Sequence, residues 1–360
     1  MCEIIKFSEA IEIAKQYNKK HLLLGNGFSI SCIPSIFTYR SIFDQADFSR
    51  YPELKEVFIA LNTTDFEEVI YSLEQSIQIV PYYKKDSNDF INVMKKHASF
   101  IKELLITTVA QNHPDMPNII TDEQYKSCRT FLSNFISIDK ASNIYTLNYD
   151  LLLYWAYMHE IENDPIKLYF NDGFVKTYDE EDHEARSELY WEGKTTDQNI
   201  HFMHGALHLY QGDGLLEKKT WLNTGVKLVT QARIALENNQ FPLFVSEGNS
   251  DKKMTKIYHH PYLFNSFKSF EDVANGGKGP KPGNTCIFSY GLSFSENDTH
   301  IFNRIAVGRV KHLFVSIYGD KNDPINKDIF AKCERVKSIR SDYPLKVTYY
   351  DAATANVWGK

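Results

Sequence analysis

Eight residues decide how this chain folds: Asn143-Ile144-Tyr145-Thr146-Leu147-Asn148-Tyr149-Asp150. The first five are mostly apolar or β-favouring, which predicts a buried strand, and a helical apolar pattern begins directly afterwards at Leu151. A strand, a polar turn and a helix in succession form the βα corner of an open α/β sheet, where ligands bind outside the carboxyl ends of the strands. Asn148 and Asp150 therefore face a predicted crevice. Both residue types are also favoured helix N-caps, so capping explains them equally well on their own.

The composition is that of a folded globular protein, and the length predicts two domains or one sheet domain with a large insertion. Hydrophobic residues make up 43% of the 360 residues and aromatic residues 14%. A net charge of -6 and a pI near 6.1 argue against a nucleic-acid backbone or an anionic membrane as the main partner.

The cysteines indicate a reducing compartment. They are odd in number and form no C-x-x-C pair, so neither a disulfide framework nor a structural zinc site is expected: Cys2, Cys32, Cys128, Cys286 and Cys333. The N-terminus lacks the pattern of a signal peptide, and no apolar run approaches the length of a membrane-spanning helix, about 18 residues. We therefore expect a cytoplasmic protein.

Three further strands are predicted to end in turns rich in glycine or polar residues. Their turns are Gly25-Asn26-Gly27-Phe28-Ser29 after an apolar run, His204-Gly205 after a strand from about residue 199, and Gly291-Leu292-Ser293 after a strand over 285–290. Glycines directly after a strand let the backbone approach a phosphate, although an ordinary tight turn explains the first of them as well. In one parallel sheet all four turns lie along the same edge, which favours a binding site over helix capping.

The order of the predicted elements indicates an α/β fold with a doubly wound parallel sheet. Residues 1–50 and 140–360 are assigned to the sheet domain, and residues 51–139, which are helical in pattern almost throughout, to an inserted helical module. Within the module Thr64 precedes Glu67 by three residues, the spacing of a capping box. Residues 160–199 form an acidic insertion, and its charged centre at 179–184 is expected to be a solvated loop.

A group of histidines lies at the end of one predicted strand. Strand alternation places His201 and His204 on opposite faces, and His208 follows beyond the turn. These three histidines are therefore not expected to converge on a metal ion. His204, next to Gly205 at the carboxyl edge, is instead a candidate for the chemistry of the site.

In order and in context, the four turns resemble the motifs of the sirtuin-like NAD-binding family. Sirtuin-type domains carry a Gly-Ala-Gly-x-Ser loop, a Gln-Asn-Ile-Asp corner, a His-Gly pair and a late Gly-Thr-Ser turn. This chain has Gly25-Asn26-Gly27-Phe28-Ser29, Leu147-Asn148-Tyr149-Asp150, His204-Gly205 and Gly291-Leu292-Ser293. The resemblance covers about residues 18–50 and 140–352 and implies a Rossmann-like, sirtuin-type sheet that binds NAD.

Two departures separate the chain from the protein deacylases of that family. It lacks the two cysteine pairs that hold their zinc module, and Leu147 and Tyr149 stand where the family has Gln and Ile. The chain is more similar to bacterial sirtuin-like proteins that hydrolyse NAD+, several of which act in anti-phage defence through abortive infection. The resemblance therefore implies an NAD+ glycohydrolase, or NADase, that takes NAD+ as its substrate, releases nicotinamide and ADP-ribose, and needs no metal.

Individual residues acquire roles from the resemblance. Asn148 would hold the nicotinamide ribose or the attacking water, and His204 would act as a general base, for which an ordinary pKa of about 6.5 is suitable. Asp150 would orient the site or cap the helix. Phe28 would lie near the nicotinamide or in the core. The candidates for nucleotide binding are Gly25, Asn26, Gly27, Phe28, Ser29, Thr146, Gly291 and Ser293.

Two other functions stay open on sequence grounds. One is a protein that binds or senses NAD or ADP-ribose without turnover, and the other is a sirtuin-type deacylase or ADP-ribosyltransferase acting on protein. Because uncontrolled loss of NAD+ would kill the cell that makes the enzyme, the hydrolase interpretation predicts a regulatory protein partner or a homo-oligomer that gates activity. Such a partner would contact the helical module or the acidic insertion.

Overall fold

The central sheet consists of seven strands that pair in parallel. The structure, a computed structural model, describes residues 3–137, 142–161, 164–178, 185–193, 197–212, 214–220 and 225–359. Its strands are β1 (Ile4–Ile5), β2 (Lys19–Leu24), β3 (Ile144–Thr146), β4 (Phe174–Tyr178), β5 (Ala185–Trp191), β6 (Ile200–Phe202), β7 (Leu209–Gln211), β8 (Leu216–Lys218), β9 (Thr285–Tyr290), β10 (His312–Ile317) and β11 (Lys346–Asp351). Across the sheet their order is β1-β11-β10-β9-β2-β3-β6.

Helices cover the sheet and fill the block that the sequence predicts to be helical. They are α1 (Phe7–Ala14), α2 (Gly27–Cys32), α3 (Pro34–Phe37), α4 (Tyr39–Gln45), α5 (Glu53–Ala60), α6 (Phe66–Tyr83), α7 (Asn88–Asn112), α8 (Asp122–Ile136), α9 (Leu152–Met158), α10 (Leu228–Glu237), α11 (Ser250–His259), α12 (Pro261–Ala274), α13 (Thr299–Val307) and α14 (Pro324–Ile339). An α/β fold with a parallel central sheet, consistent with a Rossmann-like architecture, is confirmed. Among the described helices, none combines the length and the apolar character needed to cross a membrane.

Strand register brings the predicted turns to one edge of the sheet. Leu24, the last residue of β2, pairs with Thr146 of β3 on one side and with Tyr290 of β9 on the other. Thr146 in turn pairs with Phe202, the last residue of β6. Four neighbouring strands therefore end at the same level, and the convergence of their turns is confirmed. Strands β9 and β10 are buried along their whole length, as expected for a parallel sheet covered on both faces.

The helical block does not pack in one uniform way. Helix α8 lies directly against the sheet, since its Phe131 and Phe135 rings lie 5.4 Å from the rings of Tyr290 and Phe288 of β9, respectively. Helices α6 and α7 pack chiefly against each other. The N-cap of α6 is Asp65, whose carboxylate accepts a hydrogen bond from the Glu67 backbone N–H at 2.9 Å. The sequence pointed to Thr64 as the cap, one residue too early.

A second, antiparallel sheet was not predicted. It contains four strands in the order β4-β5-β8-β7. Its strands β4 and β5 lie in the region assigned to an acidic insertion, so part of that region is a hairpin rather than loop. The pairing of β5 with β8 joins segments about 30 residues apart, and strands of three residues carry too little periodicity to be recognised. The acidic centre at 179–184 lies outside the described residues.

Candidate active site

A cleft of about 850 Å³ lies at the carboxyl edge of the central sheet. This volume lies in the upper part of the range of small-molecule sites, about 300–1,000 Å³, and suits a ligand as large as a dinucleotide. The four strand-end turns contribute the inner wall of the cleft, and α4, α6 and α7 contribute part of the outer wall. The residues that line the cleft include Gly25, Asn26, Gly27, Glu67, Asn148, Asp150, His204, Lys253, Gly291, Ser293, Asp298 and Trp358.

Asn148 is held at the centre of this wall by its own side-chain amide. Its Nδ2 group donates to the carbonyl oxygen of Gly25 at 3.1 Å and to Ser29 Oγ at 2.8 Å. Its backbone N–H donates to Thr146 Oγ1 at 3.1 Å. The residue is 9% exposed. These bonds tie the turn after β3 to the turn after β2 and leave Asn148 fixed in one orientation at the cleft.

Asp150 has both roles that the sequence left open. One carboxylate oxygen accepts a hydrogen bond from the Leu152 backbone N–H at 2.9 Å at the start of α9, as a capping group does. The other accepts from Ser29 Oγ at 2.5 Å, so a continuous chain of hydrogen bonds runs from Asn148 through Ser29 to Asp150. Burial raises the pKa of Asp150, while the hydrogen bond from Ser29 opposes that rise. Asp150 therefore orients Asn148 through Ser29.

The first and last glycine turns pack directly against each other. The Gly25 N–H donates to the carbonyl oxygen of Tyr290 at 3.0 Å, and the Gly27 N–H donates to that of Gly291 at 2.9 Å. A Cβ atom on Gly27 would lie 2.5 Å from the Cα of Gly291, which itself has a φ of +69°. Both positions require glycine for this close approach. The two backbone N–H groups are thus used within the protein.

The Gly27→Ala variant tests this close contact. We expect it to lower the free energy of unfolding by about 1–3 kcal/mol, because the added methyl group forces the two turns apart. Denaturant unfolding measures the loss. Gly279→Ala is the matched control, since its Cβ would meet only the Lys281 carbonyl oxygen at 3.7 Å. Equal unfolding midpoints for the two variants would contradict the assignment of the Gly27 contact as tight.

His204 enters the cleft from the turn after β6. Gly205 follows it with a φ of +81°, and a Cβ there would lie 1.9 Å from the Leu243 carbonyl oxygen, so only glycine permits this turn. The His204 ring is 2% exposed, and its Nε2 atom lies 3.2 Å from Nε2 of His300 and 3.9 Å from Oδ1 of Asp298. Burial and the positive charge of Lys253 hold the pKa of His204 well below its ordinary value.

A buried ion cluster lies beside His204. Lys253 of α11 is 1% exposed, and its Nζ atom lies 2.8 Å from Oε2 of Glu67 and 2.9 Å from Oδ1 of Asp298. The hydroxyl of Tyr149 lies 3.1 Å from the other oxygen of Glu67. Burial raises the pKa of Glu67 to about 7, against the pull of Lys253. Burial also disfavours the charge on Asp298, but Lys253, His204 and His300 together outweigh it and lower the pKa of that carboxyl.

Not every residue predicted to bind nucleotide lines the cleft. Gly25, Asn26, Gly27, Gly291 and Ser293 do, and Ser293 is exposed. The other three lie behind its wall: Phe28, Ser29 and Thr146. Phe28 is fully buried in the core, with its ring 5.2 Å from that of Trp358, which is one of the two placements that the sequence left open for it. The Phe28 carbonyl oxygen accepts a hydrogen bond from Trp358 Nε1 at 2.9 Å. Trp358 therefore anchors the turn after β2.

Sequence reasoning missed four residues of this site: Glu67, Lys253, Asp298 and His300. Glu67 was identified only as part of a capping box. Among the described residues that line the cleft, five are acidic and one is a lysine, so its wall favours a cation over an anion: Asp65, Glu67, Asp150, Asp298 and Asp323 against Lys253. No signal in the sequence pointed to Lys253, because the helix that carries it, α11, was not predicted.

Comparison with known proteins gives a single family result. A family model described as "Domain of unknown function (DUF4917)" matches residues 22–358, a span that includes all of the strand-end turns described above. A search of curated proteins finds no match. Any functional conclusion therefore depends on the chemistry of the cleft.

Proposed function

The chain belongs to the DUF4917 family, and because that membership names no reaction, we propose from the site itself that the protein is an NAD+ hydrolase. It cleaves the bond between the ribose and nicotinamide and releases nicotinamide and ADP-ribose. The observation that carries this proposal is that Asn148 and His204 line one dinucleotide-sized cleft at the carboxyl ends of parallel strands, together with Gly25, Gly27 and Gly291. The resemblance of these motifs to those of sirtuin-like proteins supports the same substrate.

The reaction needs positioning and one proton acceptor. The nicotinamide nitrogen leaves with the electron pair of the broken bond and is neutral afterwards, so the leaving group requires no acid. A water molecule adds to the ribose carbon, and its proton passes to the neutral imidazole of His204. Asn148, fixed by Gly25 and Ser29, holds the ribose hydroxyls or the water in the attacking position.

The charge of the cleft suits this transition state. Positive charge develops on the ribose as the bond breaks, as in other glycoside cleavages. A wall with several carboxyl groups stabilises such a cation, and Asp298 stays ionised because Lys253 lowers its pKa. The diphosphate of the substrate then lies toward Gly291 and Ser293, away from the acidic residues.

Loss of NAD+ stops growth, so we also propose that the protein is the NAD-depleting effector of a bacterial anti-phage defence system. A partner or a homo-oligomer gates its activity. Glu67 of α6 and Leu105 and Val109 of α7 form part of the cleft wall, so a protein that shifts this helical pair also changes the site. This gives the helical module a regulatory role.

The first test measures NAD+ consumption by the purified protein and by cells that express it, with the products separated. We expect nicotinamide and ADP-ribose from the wild type and neither from His204→Ala. Acyl-ADP-ribose or modified protein as the product would indicate a sirtuin-type transferase instead. Saturable binding of NAD+ or ADP-ribose without turnover, in challenged cells as well as with purified protein, would contradict the hydrolase and indicate a sensor.

The pH profile provides a second check on the base. The His204 imidazole accepts a proton only when neutral, and its lowered pKa keeps it neutral well below its ordinary value of about 6.5. We therefore expect kcat/KM for NAD+, measured from about pH 5 to about pH 8, to show no fall at the ordinary histidine value of about 6.5. A fall in kcat/KM toward low pH with its midpoint at about pH 7 would be assigned to Glu67 and would contradict the role of His204.

A further inference from the structure

Two buried imidazoles face each other beside the proposed catalytic position. The Nε2 atoms of His204 and His300 lie 3.2 Å apart, and the rings are 2% and 4% exposed. Asp298 adds a carboxylate oxygen 3.9 Å from His204 Nε2. His300 lies in the first turn of α13, and Asp298 is the residue that precedes this helix. Two of the three groups therefore belong to one short segment of the chain. The sequence predicts no metal site, because His201, His204 and His208 are not expected to converge.

The three side chains have the donors and the spacing of a metal site. Their ligand atoms, Nε2 of His204, Nε2 of His300 and an oxygen of Asp298, all lie within 4.8 Å of one another. Ligand atoms held about 2.0–2.2 Å from a tetrahedral ion lie about 3.3–3.5 Å apart. The histidine pair already has this separation, and a rotation of the Asp298 carboxylate closes the remaining gap. Two imidazoles and one carboxylate suit zinc and other divalent transition ions.

The charges around this site are compatible with a divalent cation. Lys253 lies 2.9 Å from the same Asp298 oxygen, which by itself would oppose a second cation. Glu67 holds that ammonium group from the other side at 2.8 Å, so two carboxylates surround one lysine. A salt bridge to Glu67 lets Lys253 stay in place while Asp298 turns toward the ion. His204 and Asp298 both line the cleft, so an ion held between them would be accessible from it.

We propose that His204, His300 and Asp298 form a binding site for a divalent transition ion of the zinc class, and that the ion inhibits the protein. The inhibitory part rests on the proposed NAD+ hydrolase activity. Coordination uses the Nε2 lone pair of each imidazole, so both rings carry their proton on Nδ1 in the bound state. His204 then has no lone pair at Nε2 to accept a proton from water, and hydrolysis stops until the ion leaves.

Binding is tested without reference to activity. Chelator-treated full-length protein is titrated with Zn²⁺ by calorimetry, and its thermal midpoint is measured with and without the ion. We expect one high-affinity Zn²⁺ per chain and a raised midpoint, because an ion that binds only the folded state stabilises it. Mg²⁺, which prefers oxygen ligands, should give neither result. A visible absorption band on adding Co²⁺ would report imidazole coordination directly.

His300→Gln is the decisive variant, because it removes a ligand outside the residues assigned to the reaction. We expect it to weaken Zn²⁺ binding at least about 10-fold while its circular dichroism spectrum stays that of a folded protein. The matched control variant replaces His259 and His260, two adjacent histidines near the surface that are candidates for adventitious zinc binding. This variant should bind Zn²⁺ as the wild type does. Absence of binding by the wild type, or equal binding by His300→Gln, would overturn the site.

Activity then separates the two proposals. If the wild type hydrolyses NAD+, we expect Zn²⁺ to inhibit it at the concentrations that fill the site, and EDTA to restore it. Hydrolysis that continues with the site filled would overturn the inhibitory role. If no hydrolysis is found under any condition but Zn²⁺ binding still depends on His300, the proposed function fails and the metal site stands.

Discussion

Asn148→Ala should lower kcat/KM for NAD+ hydrolysis by about 10²–10³-fold, the usual cost of removing one group that positions or stabilises a transition state. The Asn148 amide is the group that joins the cleft to the turn after β2, through Gly25 and Ser29. Its loss removes the contact with the substrate and frees the Ser29–Asp150 pair to move. Steady-state kinetics with product analysis measures the effect.

The matched control is another asparagine of the same strand region. Asn143 donates to Tyr145 Oη at 2.7 Å and to Ser269 Oγ at 3.2 Å, and it does not line the cleft. Asn143→Ala should therefore change stability but leave kcat/KM within a few-fold of the wild type. Asn148→Ala with near-normal activity and a native thermal midpoint would show that the chemistry lies elsewhere along the sheet edge.

Lys253→Met should destabilise the fold by about 3–5 kcal/mol, because removing one partner of a buried ion cluster leaves the other charges without compensation. Glu67 and Asp298 would then face each other across the space that the ammonium group occupies. The raised pKa of Lys253, which its two carboxylate partners produce against the effect of burial, shows that the charged form is the stable one here. Denaturant unfolding at neutral pH measures the loss.

Lys252 offers a control from the preceding position of α11. It is exposed, and its ammonium group lies 3.0 Å from Glu74. Lys252→Met should cost less than Lys253→Met, because the Lys252 ammonium group is partly solvated and the buried Glu74 carboxylate keeps Lys102 as a second partner at 3.4 Å. If both variants lose the same stability, the Lys253 cluster contributes no more than this partly solvated pair, contrary to its burial. Adding Glu67→Gln to Lys253→Met should recover part of the loss, because it removes one uncompensated carboxylate.

The sequence could predict the sheet edge because each strand there is continuous, apolar and followed by a turn with its own signature. Leu24, Thr146 and Tyr290 end three such strands, and parallel pairing alone brings their turns together. The sequence therefore predicts that Asn148, His204 and Gly291 lie along one edge, and all three line the cleft. At these positions the strand and turn patterns in the sequence agree with the parallel pairing of the strands in the structure.

The ion cluster could not be predicted in the same way. Glu67, Lys253 and Asp298 lie on α6, on α11 and before α13, and no periodicity links them. Their pairing depends on how helices pack on the sheet edge, which is a property of tertiary contacts rather than of propensity. The antiparallel sheet was missed for a related reason, since its three-residue strands β7 and β8 are defined by their partners.

The bond between Trp358 and the turn after β2 links positions 330 residues apart in the chain. That turn also carries Gly25, whose carbonyl oxygen accepts a hydrogen bond from the Asn148 side chain. The corner that contains Asn148 is therefore tied to a residue that is synthesised much later than either of them. It takes its final form only when segments far apart in the chain have docked on each other.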